Sequence, residues 1–268
     1  MEIPVLKDND FKFFQDLIFQ LAGLSMSAAK KPLVGNRLVT RLRYYELRSY
    51  EEYVHILRNP HNDAERQIFI DLLTTNETSF FREPIHFDFM KSHILNQESL
   101  PNPFRVWSAA CSSGEEPYSI AMLLEDKIRS VNWELLASDI SSRVLEKSQK
   151  GLYPIDKSEK IPMDYLKKYC LKGKNANAGY FKISDEIRDR IKFLPLNLNE
   201  PFPNFGKFSV IFLRNVMIYF DKETRIKLIR KISASLYQGG YLFIGHSETL
   251  LEITDQLAMV RPTIYRKK

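Results

Sequence analysis

Cysteine is scarce. The chain has two, Cys111 and Cys170, too few for a disulfide framework or a paired zinc site and in keeping with a reducing cytoplasm. Long apolar runs are missing as well. Those present, such as 210–213, fall far short of the roughly 20 residues of a membrane helix. The opening Met-Glu-Ile-Pro has no basic stretch running into an apolar core, so no signal peptide is expected. No P-loop, HExxH, GxSxG or paired CxxC occurs, which sets aside the enzyme classes built on those motifs. The five histidines (His55, His61, His86, His93 and His246) show no metal-ligand spacing. Neither cysteine follows a proline as the nucleophile of cytosine-modifying enzymes does. The stretch 213–220 lacks the Pro-Pro-aromatic box of enzymes acting on base amino groups. The net charge of +6 therefore does not by itself mark a nucleic-acid enzyme.

What is present is ordinary globular material, 44% hydrophobic and 27% charged over 268 residues, enough for a sizeable core and for roughly two domains. Residues 8–100 read as helical throughout. Phe11, Phe14, Leu17, Ile18 and Leu21 recur at helical spacing and Gly23 closes that segment. A second helix over 30–48 carries two stripes, Leu38, Leu42 and Tyr45 against Arg37, Arg41, Tyr44 and Arg48. Ser49 and Glu52 form a capping box for a third helix, and two more follow around 68–72 and 84–95. The prolines at 101 and 103 end this module. Beyond them the texture alternates: strands over 104–109, 133–138, 192–196, 208–213, 241–244 and 263–266, with helices over 119–128, 141–150 and 221–236, the last closed by Gln238-Gly239-Gly240. Such alternation implies right-handed crossovers and a parallel, doubly wound sheet. Residues 151–190, with the Asn- and Gly-rich run 172–179, interrupt it and read as a small antiparallel excursion.

The chain is organised around 104–124. An apolar strand runs into Ala109-Ala110-Cys111-Ser112-Ser113-Gly114, then Glu115, Glu116, Pro117 and a new helix. Strand, small-residue turn and helix start is the layout of a nucleotide-type cofactor loop, although one glycine stands where dinucleotide loops show three. Three further segments fall at strand exits and would converge on it. Asp139 ends the second strand, about 20 residues on, where a ribose-hydroxyl acceptor sits; capping the next helix is its plainer role. Asn197, Leu198 and Asn199 can line an adenine pocket. Arg214 and Asn215 follow a fully apolar strand, with Tyr219 and Phe220 beyond. Upstream, TTNETSFFR (74–82) offers Asn76, Thr78 and Arg82, which have no packing reason to be polar.

Taken in order, TNETSFFR, SAACSSGEEPYSIAMLL, ASDI, LNLN, FLRNVMIYFD and FIGHSE make the chain resemble the CheR family of chemotaxis-receptor glutamate O-methyltransferases. The resemblance covers nearly the whole chain. It implies an α/β fold: an N-terminal helical domain with linker (1–100) and a class I, Rossmann-like methyltransferase domain (101–268), into which a small antiparallel β-subdomain (151–190) is inserted. It implies the reaction too: methyl transfer from S-adenosylmethionine to glutamate side chains on the cytoplasmic helices of methyl-accepting chemoreceptors, releasing S-adenosylhomocysteine, with no metal. Position by position, Asn76, Thr78, Arg82, Asp139, Asn197, Leu198, Arg214 and Asn215 match cofactor contacts. Glu115 or Glu116 matches the GEEP acid, with Glu116 preferred. Arg82 and Tyr219 match residues beside the transferring methyl group. The basic stripe of Arg37, Arg41 and Arg48 then reads as a surface for glutamate-rich receptor helices. The resemblance further implies a cytoplasmic monomer with no nucleic-acid partner and no membrane insertion, and it leaves open a receptor C-terminal tether on the inserted subdomain. The alternatives are a non-catalytic cofactor-binding adaptor and a methyltransferase for another acidic protein.

Overall fold

The computed structural model describes residues 4–268. They separate into two compact units: 4–75 with 219–224, and 76–218 with 225–268.

Four helices build the first unit: α1 (Asp8–Ala22), α2 (Lys31–Tyr44), α3 (Tyr50–Arg58) and α4 (Asp63–Leu73). The apolar spacing of α1 buries Phe11, Phe14, Leu17 and Ile18, and Gly23 ends the helix in the left-handed conformation with its N–H on the Phe19 carbonyl. Ser49 caps α3 by accepting the Glu52 N–H. Phe14 is the hub, with Tyr50, Tyr53 and Phe69 around it at ring distances of 6.3, 6.0 and 5.8 Å. A carboxylate lies beside this apolar centre. Glu65, 2% exposed, takes Arg41 through Nε and Nη2 at 2.8 and 2.6 Å, and the hydroxyls of Tyr45 and Tyr53 at 3.0 and 2.7 Å.

This arrangement corrects the reading of a continuous basic stripe. α2 stops at Tyr44 and Glu46 turns left-handed, φ 56°, so Arg48 leaves the helical register and stands exposed near the start of α3. Arg41, side chain 13% exposed, turns inward to Glu65. Arg37 donates to the carbonyls of Leu73 and Thr74 at 2.9 and 3.1 Å, closing the C-terminal end of α4.

The second unit runs α5 (Pro84–Phe89), β1 (Phe104–Ser108), α6 (Glu115–Lys127), β2 (Trp133–Asp139), α7 (Ser142–Lys150), β3 (Leu152–Pro154), α8 (Met163–Tyr169), β4 (Cys170–Lys172), β5 (Tyr180–Ile183), the single turn α9 (Asp185–Arg188), β6 (Ile191–Pro195), β7 (Phe208–Leu213), α10 (Lys222–Ala234, in this unit from Arg225 onward), β8 (Leu236–Ile244), β9 (Leu257–Arg261) and β10 (Ile264–Lys267). α5, read from sequence as the last helix of the helical module, lies in this unit. Its Phe87 and Phe89 pack on Phe212 and Phe243 of the sheet.

The main sheet has the order β6-β2-β1-β7-β8-β10-β9. Pairing is parallel from β6 through β8, but β10 is antiparallel to both β8 and β9. The expectation of a wholly parallel sheet therefore fails at this edge, because β9 and β10 are joined by a tight turn, and only antiparallel strands can be joined that way. The sequence reading missed β9. It also ended α10 too late: the helix closes at Ala234 and Gly239-Gly240 lie inside β8, where pairing jumps from Phe208↔Leu236 to Val210↔Tyr241 and Gly239 takes φ 76°. The glycines make a bulge, not a helix stop. β7 is buried at every position, as a central parallel strand covered on both faces should be.

Residues 151–190 form a three-stranded antiparallel sheet, β3-β5-β4. Phe80 packs its ring 5.0 Å from Tyr153 and 5.8 Å from Phe181, which ties the inserted sheet to the segment before α5. Because the chain moves outward to β2 and β6 from one side of β1 and returns on the other as β7, the switch point lies at the carboxyl ends of β1 and β7. Sheets of this topology bind their ligands at that point.

Replacing Arg41 with Met is expected to destabilise the chain by about 3 kcal/mol in urea unfolding, since Glu65 would be left buried without its cationic partner. Arg48→Met should change stability by less than about 0.5 kcal/mol.

Candidate active site

The loop after β1 is held by neighbours on several sides. The Cys111 N–H donates to the Ser138 carbonyl at 2.9 Å and the Ser112 N–H to Asp139 Oδ2 at 2.8 Å. Ser112 Oγ donates to the Asn76 carbonyl at 2.8 Å. Three segments that are distant in sequence are thus closed on one another. Ser112 and Gly114 adopt φ 48° and 96°, and a Cβ on Gly114 would lie 2.8 Å from the Tyr153 hydroxyl and 2.9 Å from Ser148 Cβ. One glycine suffices because only one position combines left-handed backbone with a wall at its back. Tyr153 donates to the Ser113 carbonyl at 2.6 Å, so the inserted sheet is the wall. Burial drives the Cys111 thiol pKa well above its usual value, which leaves it packing rather than reacting.

Asp139 takes the plainer capping role weighed for it and also holds the cofactor loop. Oδ1 takes the Ser141 N–H at 3.0 Å at the head of α7, while Oδ2 takes Ser112.

The two glutamates of the loop diverge. Glu115, fully buried, accepts from Ser113 Oγ at 2.6 Å and pairs with Lys157 of the insert. Glu116 accepts from Ser108 Oγ at 2.8 Å and from Arg214 Nη1 at 2.9 Å. Arg214, its side chain 2% exposed, also lies 3.1 Å from Glu83 Oε2 and donates to the Arg82 carbonyl at 2.5 Å. Burial pushes the Glu116 pKa up despite this partner. At Glu83 burial acts the same way but is outweighed by Arg214 and the His246 N–H, which hold its carboxyl below the usual range. One guanidinium faces two carboxylates, and its buried Nε has no partner.

The Arg214-Asn215 turn is itself clamped. Glu248 accepts the N–H groups of Asn215 at 2.9 Å, Met217 at 2.7 Å and Gly245 at 2.6 Å. Asn215 is left-handed, φ 57°, and its amide donates to Glu83 Oε1 at 3.4 Å. A Cβ on Gly245 would come within 2.3 Å of that amide nitrogen.

Of the residues singled out from sequence, the second unit joins Asn76 and Asp139 through Ser112, and Glu116, Arg82 and Asn215 through Arg214 and Glu83. Arg82 Nη1 donates to the Glu77 carbonyl at 3.0 Å, and Arg82 lines a cleft of about 770 Å³ with Phe81, Leu123 and Tyr165. Asn197 Oδ1 accepts the Asn199 N–H at 3.0 Å, and Lys231 fixes the Leu198 carbonyl at 2.6 Å. Thr78 is half-buried in the same unit. Tyr219 groups with the helical unit, where its carbonyl accepts the Ser25 N–H at 2.8 Å, as do Arg37, Arg41 and Arg48. Sequence reasoning assigned nothing to Glu83, Glu248 or Lys157. Glu83 follows TNETSFFR directly and Glu248 ends FIGHSE, so position within those motifs was the available signal.

The comparisons with known proteins bear on this site directly. Residues 76–266 match the family described as CheR methyltransferase, SAM binding domain, and residues 9–74 the CheR methyltransferase, all-alpha domain. A Rossmann-like sheet with its crevice at the switch point and this match define an S-adenosylmethionine-dependent methyltransferase. The chain belongs to the CheR methyltransferase family. It is 39% identical over 263 residues to the chemotaxis protein methyltransferase of Klebsiella aerogenes, covering 97% of this chain and 90% of that one. It is 38% identical over 263 residues to the chemotaxis protein methyltransferase of Escherichia coli, covering 97% and 91%, and 38% identical over 261 residues to chemotaxis protein methyltransferase 2 of Pseudomonas aeruginosa, covering 96% and 92%.

The Gly245→Ala variant tests the clamp. Its methyl group must displace Asn215, so S-adenosylmethionine affinity measured by calorimetry should fall at least about tenfold, with the far-ultraviolet dichroism unchanged.

Proposed function

We propose that the chain methylates glutamate side-chain carboxylates on the cytoplasmic helices of methyl-accepting chemoreceptors, forming methyl esters in chemotaxis adaptation. The observation that carries this reading is Arg214, buried between Glu116 and Glu83 at the exit of β7. The residues fit a cationic methyl donor: two carboxylates against one guanidinium leave an excess negative charge beside the loop, and the Asp139 carboxylate ends β2, where a ribose-hydroxyl acceptor sits.

S-adenosylmethionine, when bound, supplies an electrophilic methyl group on a sulfonium. Glu116 and Asn76 would hold its polar end, Asp139 its ribose, and Asn197 and Leu198 its adenine, with Thr78, Arg214 and Asn215 completing the enclosure. Glu115 is left to Lys157 and to the shape of the loop. The acceptor carboxylate, with an ordinary pKa near 4.3, is already ionised at neutral pH and needs no general base. Arg82 is assigned to hold that carboxylate and Tyr219 to orient it. Charge is neutralised as the methyl group moves, so the residues contribute by alignment and by excluding water.

Receptor recognition falls to the basic surface of the helical unit. Arg37 and Arg41 shape that surface while holding α4 and Glu65; Arg48, exposed, is assigned to meet receptor glutamates directly. The inserted sheet, with β3 and β4 at its edges, is where a receptor C-terminal tether would pair by strand addition.

Incubation with labelled S-adenosylmethionine and receptor-containing membranes tests the function. Base-labile label on receptor bands is the expected result. No turnover would make the chain an adaptor, and base-stable label or label on another acidic protein would redirect the assignment. Tyr219→Phe should lower kcat about ten- to hundredfold, the worth of one hydrogen bond to a charged group, with S-adenosylmethionine affinity intact. Arg48→Glu should raise the receptor KM and leave kcat alone, an effect that shrinks as salt is added.

A further inference from the structure

Beside Arg214, on the side away from Glu116, Glu83 meets two histidines. His86, one turn along at the start of α5, is 0% exposed, and its Nδ1 lies 3.5 Å from Glu83 Oε2. His246, from the loop after β8, is 57% exposed at its side chain and places Nε2 3.7 Å from the same oxygen. The three donor atoms lie within 4.8 Å of one another.

His86 is hydrogen-bonded on its far nitrogen. Nε2 lies 2.7 Å from Thr263 Oγ1, and that hydroxyl donates its own proton to the Pro262 carbonyl at 2.7 Å. With the Thr263 hydroxyl turned to that carbonyl, the imidazole donates from Nε2–H and Nδ1 keeps a bare lone pair. That lone pair faces Glu83 Oε2, an oxygen that also has only lone pairs to offer. Both atoms are buried and neither has a hydrogen-bond partner. Two acceptors facing each other in a dry site repel, unless a cation stands between them.

We propose that Glu83, His86 and His246 form a binding site for a divalent transition metal of the zinc class. Two imidazole nitrogens and one carboxylate oxygen are a ligand set zinc takes readily, with a fourth position left to solvent. Bonds of about 2.1 Å in a tetrahedron put donors about 3.4 Å apart, close to the 3.5 and 3.7 Å found here. The Thr263 hydroxyl on the far nitrogen of His86 is the outer partner a ligating histidine ordinarily has. Arg214 Nη2 stands 3.1 Å from Oε2 as an ion-pair partner without hydrogen-bonding to it, and a metal would take the lone pair on the histidine side; Asn215 and the His246 N–H both donate to Oε1, at 3.4 and 3.3 Å, so the carboxylate stays oriented.

Calorimetric titration of the chelator-cleared full chain with Zn²⁺ tests this, with Co²⁺ absorption reporting coordination geometry. One equivalent should bind, with a tetrahedral cobalt spectrum and a raised Tm. His246→Ala removes an exposed side chain and should fold as the wild type does; its zinc affinity should fall at least about 100-fold and its Tm should no longer respond to metal. Thr263→Val, which loses only the outer partner, should weaken binding about ten- to hundredfold. Zinc affinity unchanged in His246→Ala would place the metal on surface histidines such as His55 or His61 and overturn the proposal. Absence of binding to the wild type would overturn it as well. Neither result depends on methyl transfer.

Discussion

One buried cation organises the methyltransferase unit. Arg214 leaves β7 at the switch point of the sheet and is taken up by Glu116 from α6, by Glu83 ahead of α5 and by the Arg82 carbonyl. A buried pair of this kind adds little net stability, since desolvation offsets most of the Coulomb attraction, yet losing one partner costs several kcal/mol. Its effect is positional. It joins the segment before α5, the start of α6 and the exit of β7 at one point, and these are the segments that carry the residues assigned to cofactor and acceptor.

Strain collects at the same place. Phe81, Glu83, Ser112 and Asn215 all have positive φ without being glycine, at a cost of order 1 kcal/mol or more each. Each is pinned by neighbours that over-determine it. The Phe81 N–H donates to Ser119 Oγ at 2.9 Å, Ser112 is held by Asp139 and Asn76, and Asn215 by Glu248. The inserted sheet takes part as well, through Tyr153 behind Gly114 and Lys157 on Glu115. The insert is therefore structural support for the cofactor loop in addition to any docking role.

Much of this was legible along the chain. The apolar strand 208–213, the capping box at Ser49 and the small-residue loop with its one glycine are local patterns, and each folds as its pattern dictates. Errors arose where a local signal has two structural meanings. Gly239-Gly240 reads equally as a helix stop or a bulge, and only the pairing of β8 with β7 selects the bulge. Arg41 lies on the same stripe as Arg37 by spacing, but a buried Glu65 a helix away turns it inward. Histidine spacing along the sequence is blind to His86 and His246, which meet only because α5 packs on the sheet beside the exit of β8.

Glu115 and Glu116 mark the limit. The sequence by itself determined that a strand, a tight turn and a helix carrying two acids occur at 104–124, because apolar run, small residues and proline act within a few residues of each other. Adjacent helical residues point about 100° apart, so the two acids had to face different surroundings. Which one meets Arg214 and which meets Lys157 was decided only when β7 and the insert arrived on opposite sides of that helix.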